Sequence, residues 1–96
     1  MQFVIYMPTN FDMMLLELYY SDTCLNCHYV RKKIVDILSG GIMFKEINIT
    51  GPEGAKRAKQ LGIEEVPTIA IDGEVVLIGR VEKEEIEHEI NLHQTG

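Results

Sequence analysis

The segment PTIAIDGEVVLIG, residues 67–79, constrains the fold of this chain more than any other stretch. Two short apolar runs rich in Ile and Val flank the dipeptide Asp72-Gly73, a pattern that is typical of a β-hairpin. A type I′ turn needs positive φ angles at both central positions, which Asp and Gly tolerate. The sequence therefore predicts a pair of antiparallel strands that precedes the last helix.

Strands and helices alternate in the sequence before this hairpin. The run LLELYYS, Leu15 to Ser21, is short, apolar and aromatic, and it predicts a buried strand. The next segment, DTCLNCHYVRKKIVDILSGG, carries an apolar stripe at helical spacing. Ser21, Asp22 or Thr23 can cap the start of this helix, because their side-chain oxygens accept from free backbone N–H groups.

A second strand and helix follow the same plan. MFKEINIT, residues 43–50, alternates as a strand does, and GPEGAKRAKQLGI predicts a helix that ends at Gly62. Ala55, Ala58 and Leu61 are predicted to form the apolar face of that helix. With a last helix in VEKEEIEHEINL, the order is β-α-β-α-β-β-α. This order indicates an α/β domain with a mixed four-stranded sheet covered by three helices.

One domain, residues 15–93, accounts for this pattern. A chain of 96 residues is long enough for one domain with one modest core. Residues 1–14 are not part of the predicted order of strands and helices. They are interpreted as an N-terminal extension, either an added edge strand or a disordered segment. No Lys or Arg occurs before Arg31, so the basic region of a signal peptide is not recognised, and we expect a cytoplasmic location.

The net charge of −6 argues against several classes of partner. Nucleic-acid binding needs a basic stripe that displaces counterions from phosphates, and an anionic membrane surface also selects for basic residues. We interpret the acidity as a feature that keeps the protein soluble, and we expect a monomer that binds neither nucleic acid nor membrane.

Both cysteines lie where the first strand turns into the first helix, in the sequence CLNC. The thiolate is the nucleophile in disulfide exchange, and the N–H groups of a helix N-terminus are expected to stabilise it and lower the pKa of Cys24. The spacing places Cys27 one turn later, on the apolar stripe and within bridging distance. We therefore predict that Cys24 attacks a substrate disulfide and that Cys27 resolves the mixed disulfide.

This cysteine pair, with Val-Pro-Thr at residues 66–68 ahead of the Asp-Gly hairpin, resembles the thioredoxin/glutaredoxin superfamily. The order of elements from Leu15 to Leu92 resembles the shorter thioredoxin fold that lacks an extra N-terminal strand and helix. The CLNC pair and the sequence DGEVVLIGRVEKEEIEHEI are similar to small archaeal-type thioredoxins and glutaredoxin-like redox-active disulfide proteins.

The resemblance implies a dithiol–disulfide oxidoreductase that reduces protein disulfides and needs no cofactor beyond its redox-active disulfide. It implies a cis bond before Pro67, beside the dithiol, so that Val66 can pair with an extended substrate. Substrate binding is thus expected from Val66, Pro67 and Thr68. Modulating roles are expected for the residues that flank the cysteines: Thr23, Leu25, Asn26 and His28.

The electron donor is left open by the sequence. A flavin thioredoxin reductase, a ferredoxin-linked reductase and glutathione are all compatible with a dithiol of this kind. Glutaredoxins usually carry Gly-Gly and an Asp after the last strand, whereas here Gly79 is followed by Arg80, Val81 and Glu82. This difference weakens the glutathione interpretation, although Arg80 can still contact a carboxylate.

Haem and metal sites are alternatives that use the same residues. Cys24, Cys27 and His28 match a haem attachment motif, but the predicted fold is not the mostly helical one that wraps a haem. The two cysteines can supply half of a zinc site, while His88 and His93 are predicted far away on the last helix. Zinc or an iron–sulfur cluster shared between two monomers stays possible. The non-enzymatic alternative is a thioredoxin-like domain that binds metal or a partner without turnover.

Overall fold

The computed structural model describes residues 14–95. Its elements are β1 Met14–Tyr20, α1 Leu25–Ile37, β2 Ile42–Asn48, α2 Pro52–Leu61, β3 Thr68–Ile71, β4 Glu74–Ile78 and α3 Lys83–Thr95. The predicted element order and the α/β class are confirmed. The first strand begins at Met14, one residue before its predicted start, and the interpretation of residues 1–13 lies outside the described part of the chain. None of the described helices is long and apolar enough to span a membrane.

The strands form a mixed four-stranded sheet in the order β2-β1-β3-β4. β1 runs parallel to β2 and antiparallel to β3, with Tyr19 opposite Thr68 near the carboxyl end of β1. β3 and β4 form the predicted hairpin, and Asp72 and Gly73 adopt φ angles of 51° and 85°. Positive φ at both turn positions matches the type I′ turn expected from the Asp-Gly dipeptide.

The larger core lies between one face of the sheet and the helices α1 and α3. Side chains alternate along a strand, so Leu16 and Leu18 of β1 point to this face. Val30 and Ile34 of α1 are fully buried against them. The other buried members of this core are Met14, Ile69, Ile71, Val81, Ile86 and Ile90. Burial of this stripe fixes where α1, and therefore the cysteine pair, meets the sheet.

Helix α2 covers the opposite face, where Tyr19, Ala58 and Ala70 are buried. The predicted apolar face of α2 is wrong in one respect, because Ala55 is exposed while Gly54 is buried. Gly54 faces the sheet because α2 approaches β2 so closely that only a residue without a side chain fits there. The helix ends as predicted at Gly62, which has a φ of 74°.

Candidate active site

Cys24 and Cys27 form a disulfide at the junction of the sheet and helix α1, with Cα atoms 5.3 Å apart. The chain leaves β1 at Tyr20 and makes a turn in which the Cys24 N–H donates to the Ser21 carbonyl at 3.2 Å. Helix α1 then begins at Leu25, with Cys24 as its N-cap in an extended conformation. The fold thus brings both sulfur atoms to the first turn of one helix.

The cap of α1 is the sulfur of Cys24 itself. The backbone N–H of Cys27 donates to Cys24 Sγ at 3.1 Å, which satisfies one of the N–H groups left free at a helix start. The prediction of Ser21, Asp22 or Thr23 as the cap is therefore wrong. Asp22 instead accepts a 2.9 Å hydrogen bond from the side-chain amide of Asn48, which ties the loop to the end of β2.

The cysteines and their neighbours differ strongly in exposure. Cys27 is buried, with only 3% of its surface exposed, whereas Cys24 is half-buried. Leu25, between the cysteines, is 84% exposed and presents an apolar side chain directly beside Cys24. Thr23 and Asn26 are also exposed. An incoming disulfide can therefore approach the first sulfur but not the second.

Residues 65–68 form the turn that leads into β3, which we name the Pro67 turn, and it lies at the same end of the sheet as the dithiol. Tyr19 pairs with Thr68 at one end of the antiparallel β1–β3 ladder. Pro67, which directly precedes Thr68, therefore lies at the same end of the sheet as Tyr20 and the cysteine loop, which follow Tyr19. The Val66–Pro67 peptide bond is cis, and Pro67 is buried. The Thr68 hydroxyl donates a 2.6 Å hydrogen bond to the Glu65 carbonyl, which closes the turn.

A cavity of about 280 Å³ opens beside Cys27, between α1 and β2. Two of its lining residues form an ion pair, with Arg31 Nε 2.9 Å from Glu46 Oε1. His28 is exposed and borders this cavity, so it reaches the β2 side of the site rather than Cys24. The lining residues are Leu18, Tyr20, Ser21, Asp22, Cys27, His28, Arg31 and Glu46. Water can therefore enter next to the otherwise buried sulfur.

A charged cluster on the other side of α1 was not predicted from the sequence. The guanidinium carbon of Arg80 lies 3.7 Å from the centroid of the Tyr29 ring, and Lys33 Nζ lies 4.9 Å from it. The Tyr29 hydroxyl donates a 2.6 Å hydrogen bond to Glu82 Oε1. We name these four residues the Arg80 cluster. Sequence patterns do not reveal it, because Tyr29 and Glu82 are 53 positions apart.

A buried polar group lies on the α2 face, away from the disulfide. Glu17 is 3% exposed, and it accepts a 2.9 Å hydrogen bond from the Tyr19 hydroxyl while Arg57 Nη2 lies 3.6 Å from its carboxylate. Burial and the hydrogen bond to Glu17 raise the pKa of Tyr19 to about 12. The one acid within the apolar run LLELYYS was the signal that could have located this group.

Metal ligands are not assembled around the cysteines. Within residues 14–95, no group of three or more His, Cys, Asp and Glu side chains is arranged to hold a metal ion. His93 of α3 contacts the Glu89 carbonyl at 2.9 Å and the Glu74 carboxylate at 3.4 Å. Glu74 follows the hairpin turn, so His93 lies at the end of the sheet opposite the dithiol, as the sequence predicted.

Comparisons with known proteins place this geometry in context. A family model described as the thioredoxin domain matches residues 14–91. A mutant thioredoxin from Halobacterium salinarum NRC-1 superposes with a TM-score of 0.72 at 20% identity, over 90% of this chain and 79% of that chain. Thioredoxin f2 from Chlamydomonas reinhardtii gives a TM-score of 0.72 at 21% identity, over 88% and 82% of the two chains.

A third solved structure is a complex. The crystal structure of ferredoxin:thioredoxin reductase with thioredoxin f2 contains a chain that superposes with a TM-score of 0.73 at 22% identity, over 86% of this chain and 79% of that chain. No curated protein sequence matches the chain. At these identities the structural likeness shows the fold, and the family match covers the cysteine pair and the Pro67 turn together.

Proposed function

The chain belongs to the thioredoxin domain family and is a dithiol–disulfide oxidoreductase, and from this premise we propose that it acts as a protein-disulfide reductase. The observation that carries the proposal is the hydrogen bond from the Cys27 N–H to Cys24 Sγ. The same donor, together with the positive end of the α1 dipole, stabilises a thiolate at Cys24 once the disulfide is reduced. A sulfur that caps a helix is thus held ready as a nucleophile.

The two cysteines take different roles because their exposure differs. The Cys24 thiolate attacks one sulfur of the substrate disulfide, which forms a mixed disulfide and releases the other substrate sulfur as a thiolate. Cys27 then loses its proton to water in the adjacent cavity, and its thiolate attacks Cys24 Sγ. This second step re-forms the internal disulfide and releases the remaining substrate thiolate, so two electrons pass from the protein dithiol to the substrate.

The substrate is proposed to lie along the Pro67 turn. Val66 precedes β3, just outside the Tyr19–Thr68 pair, where an extended segment can add its backbone hydrogen bonds. Pro67 shapes this turn, and Thr68 closes it through its hydrogen bond to the Glu65 carbonyl. The exposed side chain of Leu25 provides apolar surface that a protein substrate covers on binding.

The residues around the cysteines are proposed to tune the site without reacting. Thr23 and Asn26 are exposed on either side of Cys24 and can contact the substrate backbone. His28 borders the cavity at Cys27 and can influence the water that accepts the proton of the Cys27 thiol. Activity needs no cofactor in this scheme, because the reacting atoms all belong to the protein and the substrate.

A separate reductase must return electrons to the disulfide after each turnover. One structural neighbour is a thioredoxin f2 in complex with ferredoxin:thioredoxin reductase, which supports a reductase of this kind as the donor. The donor is proposed to approach the half-buried Cys24 rather than the buried Cys27. We propose that a thioredoxin reductase of the flavin or ferredoxin-linked type recharges the protein, acting on a monomer in the cytoplasm. Direct comparison of these reductases with glutathione as the reductant distinguishes the donors.

Reduction of insulin disulfides with dithiothreitol as the electron source tests the proposed activity. Wild-type protein should accelerate insulin precipitation, and Cys24→Ser should abolish the acceleration. Cys27→Ser should accumulate a covalent protein–substrate adduct, seen on a non-reducing gel, because it can attack but cannot resolve. Equal inactivity of the wild type and both variants, together with metal in the purified protein, would instead favour the metal-binding alternative.

A further inference from the structure

The Arg80 cluster lies next to the segment that is proposed to receive the substrate. Thr68 of β3 pairs with Ile78 of β4, so Pro67 and Gly79 are the next residues outward on the two strands. The Gly79 N–H donates a 2.7 Å hydrogen bond to the Pro67 carbonyl, which holds the two turns together. Arg80 therefore follows directly after a residue that contacts the Pro67 turn.

The position of Tyr29 on α1 sets how far the cluster lies from Cys24 along the helix. Arg80 stacks on Tyr29, which follows Cys24 by five positions on α1. At a rise of about 1.5 Å per residue, this separation is roughly 8 Å along the helix. An extended segment advances about 3.3 Å per residue and covers that distance in two or three residues. A substrate side chain two or three positions from the reacting half-cystine can therefore come within reach of the cluster.

Arg80 carries a positive charge that is available to a ligand. Among residues 14–95, the close ion pairs are formed by Arg31, Arg57 and His93, not by Arg80. Glu82, the one acid of the cluster, accepts a hydrogen bond from the tyrosine hydroxyl. With two cations and one carboxylate, the cluster is net positive in a chain whose overall charge is −6.

The opposite side of the Pro67 turn is acidic. Glu64 and Glu65 precede Val66, and both are exposed. They border a separate small cavity with Leu61 of α2, so they lie on the α2 side of the sheet, whereas the Arg80 cluster lies on the α1 side. A substrate segment that crosses the Pro67 turn therefore meets positive charge on one side and negative charge on the other.

We propose that Arg80 is a specificity-determining residue that pairs with a carboxylate of the polypeptide substrate, two or three positions from the reduced disulfide. The proposal rests on the function proposed above, since it requires substrate along Val66 and Pro67. Arginine suits this role because its planar fork of N–H donors matches a carboxylate, and its stacking on Tyr29 keeps that fork in place. An exposed pair of this type changes a rate constant by about two- to fivefold at low salt.

The test uses short blocked peptides joined as disulfide dimers, with one variable position two residues from the cysteine. Glu, Gln or Lys occupies that position, on either the N-terminal or the C-terminal side. The rate constant for reduction by the dithiol form of the protein is measured by chromatography of the released thiol. We expect the Glu peptide to react about two- to fivefold faster than the Gln peptide in one of the two placements, and the preference to disappear in high salt.

Substitutions of Arg80 separate charge recognition from a structural role. Arg80→Gln should bring the Glu-to-Gln rate ratio to about one, and Arg80→Glu should reverse the preference so that the Lys peptide reacts fastest. Lys32→Gln is the matched control, because Lys32 is an exposed cation elsewhere on α1, and it should keep the wild-type ratio. A purely structural contribution of Arg80 cannot produce the reversal.

Several outcomes would overturn this inference while leaving the proposed function intact. One such outcome is that every variant reduces the Gln peptides but Arg80→Gln leaves the Glu-to-Gln ratio of rate constants unchanged. This result would exclude Arg80 as the determinant of specificity. A second outcome is that Arg80→Gln slows the reduction of glutathione disulfide while no variant discriminates among the peptides. This result would assign the carboxylate that Arg80 binds to glutathione instead. Failure of the wild type to reduce any peptide would overturn the inference and the proposed function together.

Discussion

Gly54, on the buried side of α2, offers a sharp test of how this helix packs on the sheet. An alanine Cβ here would overlap the backbone carbonyl oxygen of Asn48, and it would lie 2.7 Å from the carbonyl carbon and 3.3 Å from Ile47 Cγ2. Cβ contacts below 3.0 Å are essentially never found. Since the obstacle is strand backbone rather than a flexible side chain, Gly54→Ala requires α2 or β2 to shift.

The expected cost combines opposing contributions. In an unobstructed helix, glycine to alanine stabilises the folded state by about 1 kcal/mol, because alanine has the higher helix propensity. Overpacking a buried contact typically costs about 1–3 kcal/mol, and a backbone obstacle places this site at the upper end or beyond. We therefore expect the free energy of unfolding to fall by about 2 kcal/mol, which lowers the Tm by roughly 8–16 °C in a domain of this size.

Urea unfolding followed by circular dichroism measures this change, with the m-value as a check on two-state behaviour. Gly40→Ala is the matched control, because nothing lies within 4 Å of a Cβ placed there. That control should match or exceed wild-type stability by up to about 1 kcal/mol. Gly54→Ala with wild-type stability or better, at an unchanged m-value, would refute the close approach of α2 to Asn48.

Other predictions concern pH and the hairpin. Because the folded-state pKa of Tyr19 is raised to about 12, its contribution to stability is complete below pH 10 and is lost between pH 10 and 12. Urea unfolding of the wild type should show the free energy of unfolding falling by about 1.4 kcal/mol per pH unit over this range, and Tyr19→Phe should not show this fall. An identical pH dependence in both proteins would exclude the raised pKa of Tyr19 as its cause. Asp72 has positive φ and accepts a 2.9 Å hydrogen bond from the Leu15 N–H, so Asp72→Ala should cost about 1–2 kcal/mol while Asp72→Asn costs less. A hydrogen bond to a backbone carbonyl one helical turn earlier raises the pKa of His93. The contribution of His93 to stability is thus complete below pH 6.5 and falls as the pH rises. His93→Gln should therefore make the free energy of unfolding less dependent on pH above pH 6.5.

The elements of this fold were predictable because their signals are local. Asp72-Gly73 specifies the turn through backbone sterics, and Gly62 ends α2 for the same reason. The burial of Cys27 follows from its position on the apolar stripe of α1. In each case the residue type and its immediate neighbours decide the structure, so no knowledge of distant contacts is needed.

The features that escaped prediction depend on tertiary geometry. Cys24 caps α1 although three more usual capping residues precede it, because the chain turns at Ser21 and starts the helix later than the capping pattern suggests. Gly54 faces the sheet because α2 docks closer to β2 than helical periodicity reveals. The stacking of Arg80 on Tyr29 joins a loop to a distant helix, and no local pattern encodes that contact.

The central claim is that a helix N-terminus holds Cys24 as a reactive thiolate while Cys27 stays protected. The most direct measurement is the alkylation rate of each sulfur in the dithiol form of the protein, followed by mass spectrometry across a range of pH. The account predicts that Cys24 reacts far faster than Cys27 and reaches half its maximal rate well below ~8.5, the pKa of a free cysteine. Equal rates for the two sulfurs, or a midpoint at or above that of free cysteine, would contradict it.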